Sequence, residues 1–189
     1  MKIEVKVQKP FVLWFTGLPC SGKTTLAQAL EREFLRVSTT PLRILDGDKV
    51  RADLSKGLGF SRKDRDTHNF RVAEKASEIV KNGEPVCVSL ISPYRNIRQT
   101  IKETISSFVE VYVKCPIDVC EKRDVKGMYK LARQGKIKMF TGIDDPYEEP
   151  LNPDIIVETD KQSVEECIKT IMNGLVKYGY IQCSAKNVG

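Results

Sequence analysis

The sequence predicts an α/β fold: a parallel sheet of about five strands, helices on both faces, and a helical or loop lid. Three observations predict it. Five short apolar runs recur along the 189 residues. Segments with helical periodicity separate those runs. A glycine-bearing loop joins the first run to the first helical segment. Near-continuous apolar runs suit strands buried on both faces, and regular alternation with helices is the pattern of a parallel sheet.

Each element has its own signal. The opening M-K-I-E-V-K-V-Q-K-P alternates apolar and charged residues and has no apolar stretch of the kind a secretory signal needs. Phe11 to Thr16 reads as the first strand. Thr24 to Val37 reads as a helix with Leu26, Ala27, Leu30, Phe34 and Val37 on one face. Leu42 to Leu45 is the second strand. Arg65 to Asn82 reads as a helix with Phe70, Ala73, Ala76, Ile79 and Val80 on its apolar face and Gly83 as its stop. Pro85 to Ile91 and Phe108 to Val113 are the third and fourth strands, with a helix from Ile97 to Ser106 between them. A helix at Ile117 to Arg123 follows. Lys126 to Pro153 then lacks strand signals and holds one short helix. A connection this long in a compact domain is usually functional, so a lid is expected at approximately residues 123–150. Asp154 to Val157 is the fifth strand. Ser163 with Glu166 forms a capping box that opens the last helix, Ser163 to Tyr178.

Composition narrows the function. A chain of this length suits a single domain over residues 1–189. The net charge is +6, from 31 Lys and Arg against 25 Asp and Glu, which favours anionic ligands. The basic residues are dispersed and lack an aromatic-rich stripe, so no nucleic-acid partner is expected. No run approaches the length of a membrane span, so no membrane partner is expected and the default location is the cytoplasm. One histidine, His68, excludes an H-E-x-x-H zinc site. The six cysteines contain no C-x-x-C pair and read as small buried hydrophobes, their pairing left open.

The strongest motif is Gly17-Leu18-Pro19-Cys20-Ser21-Gly22-Lys23-Thr24. It fits G-x-x-x-x-G-K-S/T and lies between a strand and a helix, where the chemistry needs it. Its backbone N–H groups form an anion-binding nest at a helix N-terminus. Lys23 is expected to bridge the β- and γ-phosphates, and Thr24 to hold Mg²⁺ through its hydroxyl. The motif specifies nucleoside triphosphate binding and no particular reaction. The short chain, the lack of N-K-x-D and the lack of a strand ending in D-E favour a small-molecule kinase over a GTPase or a large ATPase. The second strand ends in Asp46-Gly47-Asp48, at the edge where open α/β sheets bind ligands. An Asp there can take a proton from a hydroxyl or sit in the Mg²⁺ environment. Capping of a following helix is the alternative, more for Asp48 than for Asp46.

The series G-L-P-C-S-G-K-T, D-G-D-K-V-R, G-L-G-F-S-x-x-D-R, I-S-P-Y-R, K-G-M-Y-K and F-T-G-I-D-D-P-Y-E resembles adenylylsulfate kinase from about Phe11 to Ile181. The resemblance implies a P-loop nucleoside-triphosphate kinase fold. It implies transfer from ATP, with Mg²⁺, to the 3′-hydroxyl of adenosine 5′-phosphosulfate (APS), giving 3′-phosphoadenosine 5′-phosphosulfate (PAPS). Lys23, Asp46 and Ser92 are then the catalytic set, with Asp46 also in the metal environment. Residues 17–24 with Thr25 and Arg123 hold ATP. Asp46, Arg51, Phe60, Arg65, His68, Ile91, Ser92 and Phe140 line the APS site. Arginine suits a phosphosulfate because its planar fork donates parallel hydrogen bonds. Phe60 and Phe140 match the pair of aromatics that sandwich the APS adenine. Ser92 matches a position sometimes credited with a phosphoserine intermediate. No base lies near it in sequence, so direct in-line transfer is favoured, with Ser92 as a substrate contact.

The resemblance breaks at one place. After D-R the family reads E-x-N-I/V-R-R, whereas this chain reads Asp66-Thr67-His68-Asn69-Phe70-Arg71. His68 holds the position of the substrate-binding Asn, and Asn69 lies about 100° further around the helix. His68 is expected either to contact APS or to be an exposed helix residue. Arg123, Lys126, Lys130, Arg133, Lys136 and Lys138 are expected to form either a solvated basic face or a lid closing over two anionic nucleotides. The resemblance further implies a homodimer and coupling in trans to ATP sulfurylase. The competing readings are another P-loop small-molecule kinase and a non-catalytic nucleotide-sensing module. The F-T-G-I-D-D-P-Y-E segment argues against the first, and retention of Lys23, Thr24, Asp46, Arg51 and Arg65 against the second.

Overall fold

In the computed structural model the described residues run from 2 to 186. The five expected strands are present as β2 (Val12–Thr16), β3 (Arg43–Asp46), β4 (Val86–Ser89), β5 (Phe108–Lys114) and β6 (Ile155–Glu158). They form one parallel sheet in the order β3-β4-β2-β5-β6. Every strand therefore ends at the same edge, which gathers Thr16, Asp46, Ser89, Lys114 and Glu158 into one rim.

Helices cover both faces. Leu13 and Phe15 pack with Leu26, Leu30 and Phe34 of α1 (Lys23–Val37) and with Ile171 and Leu175 of α7 (Val164–Lys177). Val12 and Trp14 face the other way, onto Val72 and Ala76 of α3 (Arg62–Lys81) and Ile97 and Ile101 of α4 (Arg95–Thr104). This alternation is the two-residue period of a strand, and both sides are apolar because both are covered. Each fully buried Leu or Phe contributes roughly 1.5–3 kcal/mol. The expected capping box is formed: Ser163 Oγ accepts from Glu166 N at 3.2 Å, and Glu166 Oε2 accepts from Ser163 N at 2.8 Å.

The structure departs from the sequence reading in three places. The alternating N-terminus is a strand, β1 (Lys2–Val7), which pairs antiparallel with β7 (Ile181–Lys186) as a separate two-stranded sheet. Its period-two pattern was the available signal. A helix, α2 (Gly47–Leu54), follows Asp46 directly. Third, Phe70 does not lie on the buried face of α3. It is 42% exposed, and the buried residues are Arg65, His68, Asn69, Val72, Ala73 and Ala76. Those six recur at three- and four-residue spacing, so polar residues hold the N-terminal half of the buried stripe. After α5 (Ile117–Arg123) the expected lid contains α6 (Met128–Arg133) and then an irregular stretch up to β6. All six cysteines are free. Among the described residues no helix is long and apolar enough to cross a membrane.

Candidate active site

The rim of the sheet carries a cleft with two sides. The phosphate side is the loop between β2 and α1. Gly22 is the N-cap of α1 with φ 101°, a left-handed conformation that favours glycine. A Cβ on Gly17 would lie 2.5 Å from Val113 O, so only glycine lets the loop approach β5 this closely. Lys23 Nζ donates to Leu18 O at 2.7 Å and Gly17 O at 3.0 Å, and lies 3.3 Å from Ser21 Oγ. The ammonium thus sits in the concavity of its own loop. Burial pushes its pKa down to about 8, against the opposing pull of nearby acidic groups that include Asp46 and Asp48. Arg123 donates to Thr159 O at 2.7 Å and to Thr159 Oγ1 at 3.1 Å, and reaches Cys20 O at 3.4 Å. Thr159 Oγ1 in turn donates to Ser21 O at 2.7 Å. Leu18, Pro19 and Thr25 lie where the motif placed them, on the loop and in the first turn of α1.

Thr24 and Asp46, 22 positions apart, meet: Thr24 Oγ1 donates to Asp46 Oδ2 at 2.8 Å. Asp46 is the N-cap of α2, its Oδ1 accepting from Asp48 N at 3.3 Å. The capping role therefore falls to Asp46 and not to Asp48, because the helix starts one residue after the strand ends. A helix N-terminus favours the carboxylate. These two oxygen donors fit Mg²⁺, a hard ion that takes few protein ligands and completes its shell with phosphate and water.

The acceptor side is assembled by arginines. Arg65 Nε donates to Phe60 O at 3.0 Å, and its guanidinium also donates to Met139 O. One buried side chain thus holds the backbone of Phe60 and of the residue before Phe140, fixing the two expected stacking residues relative to each other. The same guanidinium lies 3.9 Å from Asp145 Oδ2. Arg51 donates to Gly59 O, and its guanidinium lies 4.4 Å from the Phe60 ring centroid. Phe60 is 55% exposed. Phe140 is half-buried and meets Tyr129 edge-on at 4.9 Å.

His68 is not an exposed helix residue. It is 5% exposed, with Nδ1 2.7 Å from Ser55 Oγ. Burial, reinforced by Arg51 and Arg71, pushes its pKa down to about 4, so the imidazole is neutral at pH 7. Ser92 is buried as well. Its hydroxyl is 2% exposed, accepts from Trp14 Nε1 at 3.0 Å and donates to Asn69 Oδ1 at 2.7 Å. Its one proton is committed to Asn69 and one of its two lone pairs to the indole, so no neighbouring base takes that proton as nucleophilic attack would require. Ile91, just before it, uses its carbonyl to accept from Thr16 Oγ1 at 2.7 Å.

The far end of the 123–150 segment is sutured to the rim. Asp144 accepts from Phe140 N at 2.7 Å and Met139 N at 2.9 Å, which lowers its pKa. Asp145 accepts from Tyr94 Oη at 2.7 Å, and Tyr147 Oη lies 2.9 Å from Thr16 Oγ1. Of the six cations between residues 123 and 138, Arg123 reaches the phosphate loop, Lys126 pairs with Asp48 and Arg133 pairs with Glu121. Lys130, Lys136 and Lys138 are exposed.

Sequence reasoning set Asn69 aside as turned about 100° from the expected position, and it missed Arg98 and Thr159. Arg98, 3% exposed, donates to Glu110 Oε1 at 2.9 Å, Ser92 O at 2.5 Å and Glu148 O at 2.5 Å. It joins α4, β5, the loop after β4 and the lid's end. Its position between Ile97 and Ile101 on an apolar stripe was the available signal, since a charge there needs a buried partner.

The chain is similar to known proteins over most of its length. The adenylylsulphate kinase family model matches residues 9–158. An adenylyl-sulfate kinase from Rippkaea orientalis (strain PCC 8801 / RF-1) is 52% identical over 174 residues, covering 92% of this chain and 96% of the relative. A probable adenylyl-sulfate kinase from Synechocystis sp. (strain ATCC 27184 / PCC 6803 / Kazusa) is 51% identical over 175 residues, covering 93% and 98%. The structure of Mycobacterium tuberculosis APS kinase in complex with AMPPNP and APS superposes with a TM-score of 0.84 at 36% identity, covering 89% of this chain and 98% of that one.

Proposed function

The chain belongs to the adenylylsulphate kinase family, and from that premise we propose that it transfers the γ-phosphoryl group of ATP directly to the 3′-hydroxyl of APS, giving PAPS and ADP. The observation that carries this reading is the contact between Thr24 and Asp46 at 2.8 Å, where the phosphate loop meets the acceptor side. Residues 17–24 cradle the triphosphate, and Lys23 neutralises charge that builds on the transferring group. Arg123 and Thr25 complete the ATP contacts. Thr24 and Asp46 hold Mg²⁺, which when bound screens the phosphate oxygens. Asp46 orients the 3′-hydroxyl and accepts its proton. Arg51 and Arg65 face the phosphosulfate, Phe60 and Phe140 stack on the adenine, and neutral His68 with the Ile91 backbone complete the pocket. Direct in-line transfer suits a site in which the Ser92 hydroxyl is already occupied on both sides.

Residues 123–150 act as a lid that excludes water, so ATP turnover without APS is slow. The working form is a cytoplasmic homodimer that receives APS from ATP sulfurylase in trans. Incubation with ATP, Mg²⁺ and APS, followed by nucleotide chromatography, should give PAPS and ADP in equal amounts, with little ADP when APS is omitted. Phosphorylation of a nucleoside but not of APS would defeat the reading. Sedimentation checks the dimer.

A further inference from the structure

Resting on that reading of the cleft, we infer that Asn69 is a positioning residue, which sets the acceptor nucleotide against the phosphate loop through a buried hydrogen-bonded chain. Asn69 is 3% exposed on α3, one turn after Arg65. Its Nδ2 donates to Arg65 O at 2.8 Å. That bond fixes the amide's orientation and aims Oδ1 at Ser92, whose hydroxyl donates to it at 2.7 Å. The same hydroxyl accepts from Trp14 Nε1 at 3.0 Å. An indole can only donate, so the polarity of the chain is fully determined: Trp14 to Ser92 to Asn69.

The chain spans the parts that must be aligned. Arg65 and His68 stand on the same helix as Asn69. Ser92 follows β4 and sits at φ 44°, a left-handed conformation that a serine adopts only when its surroundings hold it there. Trp14 lies on β2, which runs directly into the phosphate loop. Transfer between two bound nucleotides depends on the separation of donor and acceptor, and a misplacement of about 1 Å is worth about a hundredfold in rate. Asn69 touches neither nucleotide in this scheme and acts through Ser92.

The test compares the full chain with Asn69→Leu, Ser92→Ala and the double variant. It measures kcat, both KM values and the near-ultraviolet circular dichroism of Trp14, the one tryptophan of the sequence. Asn69→Leu should lower kcat about tenfold and leave the KM for ATP within twofold. It should also alter the Trp14 signal. The double variant should be no slower than the slower single variant, as expected for residues acting as one unit. Unchanged kcat in Asn69→Leu, additive losses in the double variant, or a Trp14 signal identical to wild type would each overturn the proposal. If Asn69→Leu does not fold, Asn69→Ser carries the same expectations, because its side chain is too short to reach Ser92. Failure of the wild-type chain to make PAPS would instead count against the parent reading.

Discussion

The phosphate side and the acceptor side of the cleft are built by different means. The phosphate side is nearly contiguous: residues 17–24 supply the loop, its cation and its hydroxyl, and two glycines satisfy its backbone requirements. The acceptor side is drawn from distant segments. Arg65 reaches Met139 across 74 positions, and Ser92 reaches Asn69 across 23 and Trp14 across 78. A loop that binds phosphate through its own N–H groups needs little help from the rest of the chain. A pocket for a nucleoside needs faces and forks whose spacing is set by packing. Damage to the first should therefore abolish chemistry, whereas damage to the second should weaken one substrate selectively.

The largest effect is expected where the two sides touch. Asp46→Asn keeps one oxygen to cap α2, turns an amide N–H2 towards Thr24 Oγ1 so that this bond reverses, and removes the charge. It should lower kcat about a thousandfold, measured by PAPS formation at saturating ATP and APS. Retained activity would mean that Asp46 serves only as a cap. Arg65→Met should sharpen the comparison. It removes the bonds to Phe60 O and Met139 O and should reduce kcat/KM for APS about a hundredfold, with the KM for ATP within twofold. Equal changes in both KM values would show that the two sides are not separable.

A third effect concerns His68 and is read in stability. Its pKa is about 4 in the fold against an ordinary value of 6.5, so between these values the unfolded chain binds the extra proton. Its contribution is fully present above pH 6.5 and is lost as pH falls towards 4. From pH 7 to pH 5 the loss is about 2 kcal/mol. His68→Gln should flatten this part of the pH profile in urea unfolding, and an unchanged profile would place the acid sensitivity elsewhere. The smallest effect belongs to a lid cation on neither side. Arg133 pairs with Glu121 on the surface, so Arg133→Ala should change kcat/KM less than about twofold. A larger loss would mean that the lid brings Arg133 to the nucleotides when it closes.

How much could be read without the structure follows the same division. The five parallel strands, the loop 17–24 and the capping box at Ser163 depend on residues adjacent in sequence and were legible from spacing alone. The arginines and phenylalanines of the acceptor side were named through a family resemblance. Their arrangement, with one guanidinium tying Phe60 to Met139, was not visible in it. Phe70 shows why. Its size and apolarity place it on the apolar face of α3, yet the buried stripe carries Arg65, His68 and Asn69 and leaves Phe70 on the flank.

The sequence by itself determined the fold class, the order of the sheet's strands along the chain, the phosphate loop and the anionic character of the ligands. Those features rest on period, backbone conformation and charge, which neighbouring residues carry among themselves. Only the tertiary structure decided that β1 pairs with β7, that Asp46 caps a helix while meeting Thr24, and that Ser92 is held between Trp14 and Asn69. Each of these joins segments far apart in the chain. A buried polar side chain takes whichever partner the packed layers bring within hydrogen-bond reach.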